Sequence, residues 1–408
     1  MSKSLIIILF FTSFSVKLLA QIKFEGVVYF ENKPISNVTV YLNNTTTGTI
    51  TNDKGEFNLE ADYGVYELII SHLGFKTLKY DFDTSTYSKP LYFSLSEKQY
   101  DLDEVVIYGK QNNAEWQKNY SVFVREFIGT SDFSKFCTIL NPEVLIFEFD
   151  AENNILKGDA IELLHIKNEA LGYEVFYDLK HFSIEKEITK YLGYSYFKEL
   201  KGKESKQKKW EKNRLKAYNG SELHFYRSVL NNKAKEEGFV INKFIREKNE
   251  NWPSQEELYK ARKTLDKSNT VINSSRIIDK PKNSIDSSLI ILESAKLPKY
   301  IDYLNKSDIS SADIILKKNS KTYLHFDNNL RITYLNEMEE KGYSLRNALS
   351  KPRKAVPQTS NIIPLKEEII IDPKGILTDP LNVLSEGYWS YERFANALPI
   401  DFEPDNVK

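Results

Sequence analysis

The sequence predicts a small all-β sandwich followed by an α+β domain with antiparallel strands, the pair preceded by an export leader. Three observations carry this. Between residues 21 and 97, apolar residues alternate in short runs separated by Asn, Asp, Gly and Pro, the period of a half-buried sheet. Beyond residue 112, apolar residues at helical spacing take turns with further alternating runs. At the start, Lys3, the apolar string Leu5-Ile6-Ile7-Ile8-Leu9-Phe10-Phe11 and the end Leu18-Leu19-Ala20 are the three parts of a signal peptide cleaved before Gln21. Lys17 leaves that string short of the ~20 residues that span a bilayer, and no cysteine stands at the cleavage point to carry a lipid.

Composition narrows the function classes. The 408 residues carry 56 Lys+Arg against 57 Asp+Glu, a formal charge of −1, and loss of Lys3 and Lys17 with the leader makes it −3. That balance gives no electrostatic hold on a polyanion, which argues against a nucleic-acid partner. No later stretch is apolar enough to cross a membrane as a helix. The expectation is an exported chain, soluble or at most peripheral to a membrane. Cys137 is the only cysteine, so there is no internal disulfide. Phe133, Phe136, Cys137 and Leu140 are spaced as one face of a short helix over residues 131–140, capped by Ser131, which makes the thiol structural.

In the first module, Phe24-Glu25-Gly26-Val27-Val28-Tyr29-Phe30 is a strand and Glu31-Asn32-Lys33-Pro34 a turn. Val38, Val40 and Leu42 share one face of the next strand, with Asn37, Thr39 and Tyr41 on the other. Thr49-Ile50-Thr51 leads into the turn Asn52-Asp53-Lys54-Gly55. Phe57, Leu59 and Ala61, then Tyr66, Leu68 and Ile70, then Leu91, Phe93 and Leu95 alternate as further strands.

The strings Gly26-Val27-Val28, Pro34-Ile35-Ser36-Asn37-Val38-Thr39-Val40, Gly48-Thr49-Ile50-Thr51-Asn52-Asp53-Lys54-Gly55-Glu56-Phe57 and Ser71-His72-Leu73-Gly74-Phe75 resemble, in order, the carboxypeptidase regulatory-like domain. That resemblance implies a transthyretin-like β-sandwich over residues 21–97 and makes Asp53 and Gly55 turn formers. It implies no peptidase. His72, His165, His181, His224 and His325 fall in no H-x-x-E or H-E-x-x-H pattern, so neither a zinc site nor another cofactor is expected.

Residues 98–112 are a joint. Asp101-Leu102-Asp103-Glu104-Val105-Val106-Ile107-Tyr108-Gly109 resembles the strand that follows this module in TonB-dependent receptors, but the roughly 300 residues beyond it are too few for a plug and a barrel of about 22 strands. Residues 113–408 form the second domain. Trp116, Tyr120, Phe123 and Phe127 lie on one face of a helix stopped at Gly129, and Pro142 ends the next short helix. Strands follow around Leu145, Phe147 and Phe149, around Ile161, Leu163 and His165, and around Tyr173, Val175, Tyr177 and Leu179. Residues 262–288 read as a mobile insertion, and Leu289-Ile290-Ile291-Leu292 as a strand. Tyr323-Leu324-His325-Phe326 and Leu330-Arg331-Ile332-Thr333-Tyr334 form a hairpin across Asp327-Asn328-Asn329, and a last helical piece begins at Tyr388. Phe127-Ile128-Gly129, Ile139-Leu140-Asn141-Pro142, Leu171-Gly172-Tyr173, Asn213-Arg214, Gly220-Ser221-x-x-His224-Phe225 and the ending Gly387-Tyr388-Trp389 resemble exported Gram-negative envelope proteins that carry the same module and a C-terminal domain without assigned activity, which implies the periplasm or the periplasmic face of the outer membrane.

One stretch stands out by charge. Residues 198–216 hold nine basic against three acidic residues and run into Tyr218-Asn219-Gly220-Ser221, where Gly220 can end one helix and Ser221 cap the next. That corner gathers Trp210, Arg214, Tyr218, His224 and Arg227 as candidate partner-binding residues, or as a packed helix junction. No catalytic residue is named. The leading expectation is a non-catalytic binding or structural protein of the envelope, its partner an envelope protein or a glycan. The alternatives are a hydrolase using Ser221 and His224, and an accessory to TonB-dependent uptake.

Overall fold

The strands of the first module bury every second side chain. In the computed structural model, which describes residues 21–98, 113–186, 188–268, 280–346 and 353–404, the strand Glu56–Asp62 hides Phe57, Leu59 and Ala61 and exposes Glu56, Asn58 and Glu60. The expected leader (1–20), the segment 101–109 and residues 269–279 of the expected insertion lie outside the described residues. The module comprises β1 (Gln21–Phe30), β2 (Lys33–Pro34), β3 (Thr39–Leu42), β4 (Gly48–Ile50), β5 (Glu56–Asp62), β6 (Val65–Ser71), β7 (Leu78–Asp83) and β8 (Leu91–Ser94). One sheet runs β2-β1-β5 with β8 on β1, the other β4-β3-β6-β7, and they enclose Phe24, Val28, Val40, Leu42, Phe57, Leu68, Ile70 and Phe82. The sandwich is the expected one except that β8 joins β1 in parallel. The strand β7 escaped the alternation argument because Lys79, Tyr80 and Asp81 are all exposed.

After α1 (Ala114–Phe127) come β9 (Cys137–Ile139), β10 (Leu145–Asp150), β11 (Ile155–Ala160), β12 (Leu164–Asn168), β13 (Tyr173–Glu185) and β14 (Ile188–Glu199). The long β13 takes β11 and β12 on one edge and β14 along the other, all antiparallel. Here two expectations are corrected. Residues 131–140 are not a helix: a single 3-10 turn, Ser134–Phe136, leads into β9, where the β-branched Thr138 and Ile139 favour a ladder. Pro142 opens a 3-10 turn, Pro142–Val144, instead of closing a helix, as its fixed φ allows at a first helical position. The Cys137 thiol is pushed up to about 12 by burial, so at neutral pH it is no nucleophile.

Two compact units emerge, residues 1–120 with 138–203 and residues 121–137 with 204–408, so the stretch 113–408 contributes to both. Within the first unit, the module and the β13–β14 pair are joined. Ser195 N–H and its hydroxyl donate to Asn43 and Asn44 (3.0 and 2.6 Å), and Thr77 donates to Asp178 (2.6 Å). Tyr41, placed by alternation on the outer face of β3, is fully buried because Tyr196 covers it, ring centroids 5.8 Å apart. Gly48 is required at this joint: a Cβ there would stand 2.6 Å from the Tyr196 ring. His165 is the half-buried sheet residue expected, stacked on Phe176 and 2.7 Å from Glu174.

The second unit holds α2 (Glu204–Tyr218), α3 (Glu222–Leu230), β15 (Phe239–Lys248), α4 (Gln255–Ser268), α5 (Ser284–Ser294), β16 (Tyr300–Lys306), β17 (Ile315–Lys318), β18 (Lys321–Leu324), β19 (Asn329–Met338), α6 (Lys341–Ser344), β20 (Pro357–Pro364), β21 (Ile369–Ile371), β22 (Val383–Gly387) and α7 (Trp389–Glu392). Its main sheet, β16-β15-β19-β20-β22, is antiparallel throughout, and a smaller one runs β17-β18-β21. Phe225, Tyr226 and Val229 of α3 pack with Phe239, Ile241, Leu330, Ile332 and Ile362 of the main sheet and with Leu324, Ile369 and Ile371 of the smaller one. Three more expectations are corrected. The segments around Tyr323 and Leu330 are both strands but do not pair: β18 joins β17 and β21, while β19 joins β15 and β20. Residues 289–292 are helical, inside an α5 that Asn283 caps by accepting the Asp286 N–H (2.8 Å). Residues 262–268 and 284–288 of the expected insertion are helical, in α4, which continues to Ser268, and α5, which starts at Ser284.

Candidate functional site

The corner between α2 and α3 is built by its own sequence. Gly220 sits at φ +75° and ends α2, and Ser221 caps α3 by accepting the His224 N–H at 3.1 Å. The Gly220 N–H donates to His224 Nδ1 (3.0 Å), and its carbonyl accepts from Trp389 Nε1 (2.7 Å). Because Nδ1 accepts, the ring proton resides on Nε2, which faces Glu237 at 3.0 Å. Ser228 bonds the same Glu237 oxygen. Tyr218 stacks on the imidazole, centroids 4.7 Å apart, and Phe239 and Tyr334 meet it edge-on.

Both ring nitrogens of His224 are thus engaged, and neither is directed to the Ser221 hydroxyl, which serves the helix end. Activation of Ser221 by His224 has no geometric basis here. Arg227 is committed too: it donates to the carbonyls of Lys374 (3.2 Å), Phe402 (2.9 Å) and Ile400 (2.6 Å), while its guanidinium lies over Tyr218. Of the five candidates, Tyr218, His224 and Arg227 are brought together. Trp210 and Arg214 stand roughly 12 Å and 6 Å back along α2 at 1.5 Å per residue, Trp210 buried and Arg214 half-buried. Sequence reasoning missed Ser228, one turn after His224 on α3 and open to an i, i+4 reading, and also Glu237 and Trp389, which come from later segments and have no local signal.

The titration of this corner has a definite sign. Burial lowers the His224 pKa from 6.5, against the pull of Glu237, so the folded state holds the ring neutral. The unfolded chain takes the proton first. The stability contributed by neutral His224 is therefore complete above about pH 6.5 and drains as the pH falls toward the lower folded value. Thermal melts from pH 7.5 to 5 should show the loss in the native protein and a flatter profile in His224→Gln. Parallel profiles would assign the titration to another group.

A second buried polar cluster lies in the same unit. Glu340 accepts from the Asp132 N–H (2.8 Å), the Tyr391 hydroxyl (3.0 Å) and Lys216 (3.0 Å). Burial, with Glu340 and Glu337 nearby, lifts the Glu392 carboxyl well above the usual range, and it accepts from Asn396 (3.0 Å). Among the described residues no group of three or more His, Cys, Asp or Glu side chains could hold a metal ion. A shallow cleft of about 450 Å³ near Phe326, Leu365 and Ile369 contains none of the five candidates.

What remains accessible at the corner is the outer face of α2. Lys206, Lys208, Lys209 and Lys212 are exposed. Lys208 pairs with Glu204 (2.7 Å), whereas Lys206, Lys209 and Lys212 make no ion pair among the described residues. The Lys209 ammonium lies 5.8 Å from the ring of Phe136, itself 49 % exposed.

Residues 24–107 match the family model of the CarboxypepD_reg-like domain, about a fifth of the chain. The match continues past residue 98 into the segment that holds Asp101 to Ile107. No curated protein matches the chain.

Proposed function

We propose that this chain, with a carboxypeptidase regulatory-like domain at residues 24–107, is an exported, non-catalytic protein of the cell envelope that binds an anionic partner, an envelope protein or a glycan. The observation that carries the reading is the row Lys206, Lys209 and Lys212, spaced three residues apart on one exposed face of α2 with Phe136 beside it. Unpaired cations at that spacing steer an anion, and the half-exposed ring adds contact area. The buried corner behind them supplies rigidity: Tyr218, His224 and Arg227 are spent on packing and on carbonyl groups. Export rests on the leader at residues 1–20, which suits the periplasm or the periplasmic face of the outer membrane.

Charge reversal tests it. With Lys206→Glu, Lys209→Glu and Lys212→Glu together, retention of the mature protein on isolated envelopes should fall about tenfold at low ionic strength and converge with the native protein at high salt. The melting temperature should not move, since the three side chains are exposed. Equal retention of both proteins at low salt, or recovery of the native protein with Met1 still attached from the cytoplasm, would sink the proposal.

A further inference from the structure

One end of the main sheet is unlike a guarded edge. The seven-residue β16 pairs with β15 alone among the described residues, and Tyr300 (46 %), Ile301 (38 %), Tyr303 (49 %) and Leu304 (66 %) are exposed on its two faces. Ile245, opposite Tyr303 on β15, continues the apolar surface. Natural edges are blunted by charge, proline or bulges; the register shift in this ladder falls at Asn305, next to its end, and leaves Tyr300 to Leu304 in unbroken register. The charge in the middle of this edge, Asp302, is already neutralised: Arg246 grips it with two bonds (2.8 and 3.0 Å) and Arg331 adds a third (2.9 Å). An added strand would therefore leave no carboxylate unpaired.

The fringe of the edge is cationic. Lys299 lies over the ring of Tyr300 at 5.7 Å, with Lys248 opposite Tyr300 and Glu247 opposite Ile301 in the ladder, while Arg246 is paired with Asp302 and Glu386. At the other end Lys306 is opposite Lys243. Tyr300 and Lys306 are about 20 Å apart at 3.3–3.4 Å per residue, so Ile301, Tyr303 and Leu304, with the paired Asp302 among them, are bracketed by positive charge. A second copy of the chain is a poor occupant. Antiparallel self-pairing centred on Tyr303 would bring Lys306 onto Tyr300, beside Lys299 and Lys248.

We propose that β16 is a docking edge for an extended segment of another protein, apolar and β-branched over about five positions and acidic at both ends, which adds as a sixth strand to this sheet. Backbone bonds would supply affinity, and the apolar strip and lysine fringe the selectivity. The surface is separate from α2 and does not depend on the function proposed above.

The probe is a labelled blocked peptide, acetyl-Glu-Val-Thr-Val-Thr-Val-Glu-amide, titrated with the mature full-length protein. Saturable binding is expected, weakened about tenfold or more when both Glu are replaced by Lys. Leu304→Lys should weaken it similarly without lowering the melting temperature, because Leu304 is on the surface. The Lys206, Lys209 and Lys212 reversal should leave it unchanged. Absence of saturable binding, equal affinity for the two peptides, or loss of binding in the α2 variant would overturn the proposal. So would a native dimer whose Tyr303→Cys form cross-links to itself, since the edge would then belong to a second copy.

Discussion

Gly220→Ala should lower the melting temperature of the second compact unit by about 6–12 °C, the equivalent of roughly 3 kcal/mol for a unit of this size. Two costs add. At φ +75° an alanine is held in the left-handed region, for about 1–2 kcal/mol. Its Cβ would also stand 2.4 Å from Gln358 Oε1 and 2.8 Å from Tyr334 Cδ1, and relieving that overlap costs about 1–3 kcal/mol. Relief is not local. Gln358 donates to Glu337 (3.2 Å), and its own Oε1 is buried with no hydrogen-bond partner among the described residues. Displacing Gly220 itself would draw its carbonyl from Trp389 Nε1 and its N–H from His224. Calorimetry, with near-ultraviolet circular dichroism to follow Trp389, checks it. A shift below about 1 °C would mean that the junction is loose.

What the sequence disclosed follows the range of the forces concerned. The module was legible because Phe57, Leu59 and Ala61 advertise their burial two by two, and the corner because Gly220 and Ser221 act within one helical turn. The lysine face of α2 was legible as a run of charge, since solvated residues need no partner. Non-local pairing was not. Nothing near Leu324 says that it faces Ile369 and Ile315 in place of its neighbour strand β19. Leu289, Ile290, Ile291 and Leu292 form a run that fits a strand or a buried helix equally, and the deciding Asn283 cap lies six residues before it. Tyr41 looked solvent-facing because the surface that covers it comes from residues about 150 positions later. A comparable distance hid the carbonyls of Ile400 and Phe402 from Arg227, and Glu237, 13 residues on from His224, returns to it only through the turn between α3 and β15. Tyr218, His224 and Arg227 were chosen for a chemistry that packed neighbours then occupy.

Arg227→Ala should cost about 3 kcal/mol and free the segment around Ile400 and Phe402. A guanidinium fixed by three carbonyls is worth more than a surface charge, because each bond has an ionised donor and the acceptors lose their partners together. Phe402 then loses its anchor against Tyr218, whose ring lies 5.7 Å away, and amide exchange over residues 400–402 should speed up ahead of global unfolding. Arg227→Lys should recover only part of the loss, since an ammonium cannot reach three carbonyls in a planar fork. The variant also separates the two meanings of the corner. If Arg227 is a strap, Arg227→Ala measured well below its melting temperature retains the envelope partner as the native protein does, while the reversed lysines of α2 lose the partner without melting earlier. If Arg227 itself touches the partner, retention falls at low temperature while residues 400–402 remain protected from exchange. The three bonds to main-chain carbonyls favour the first pattern: they leave the guanidinium few donors to offer an anion, whereas Lys206, Lys209 and Lys212 each offer three.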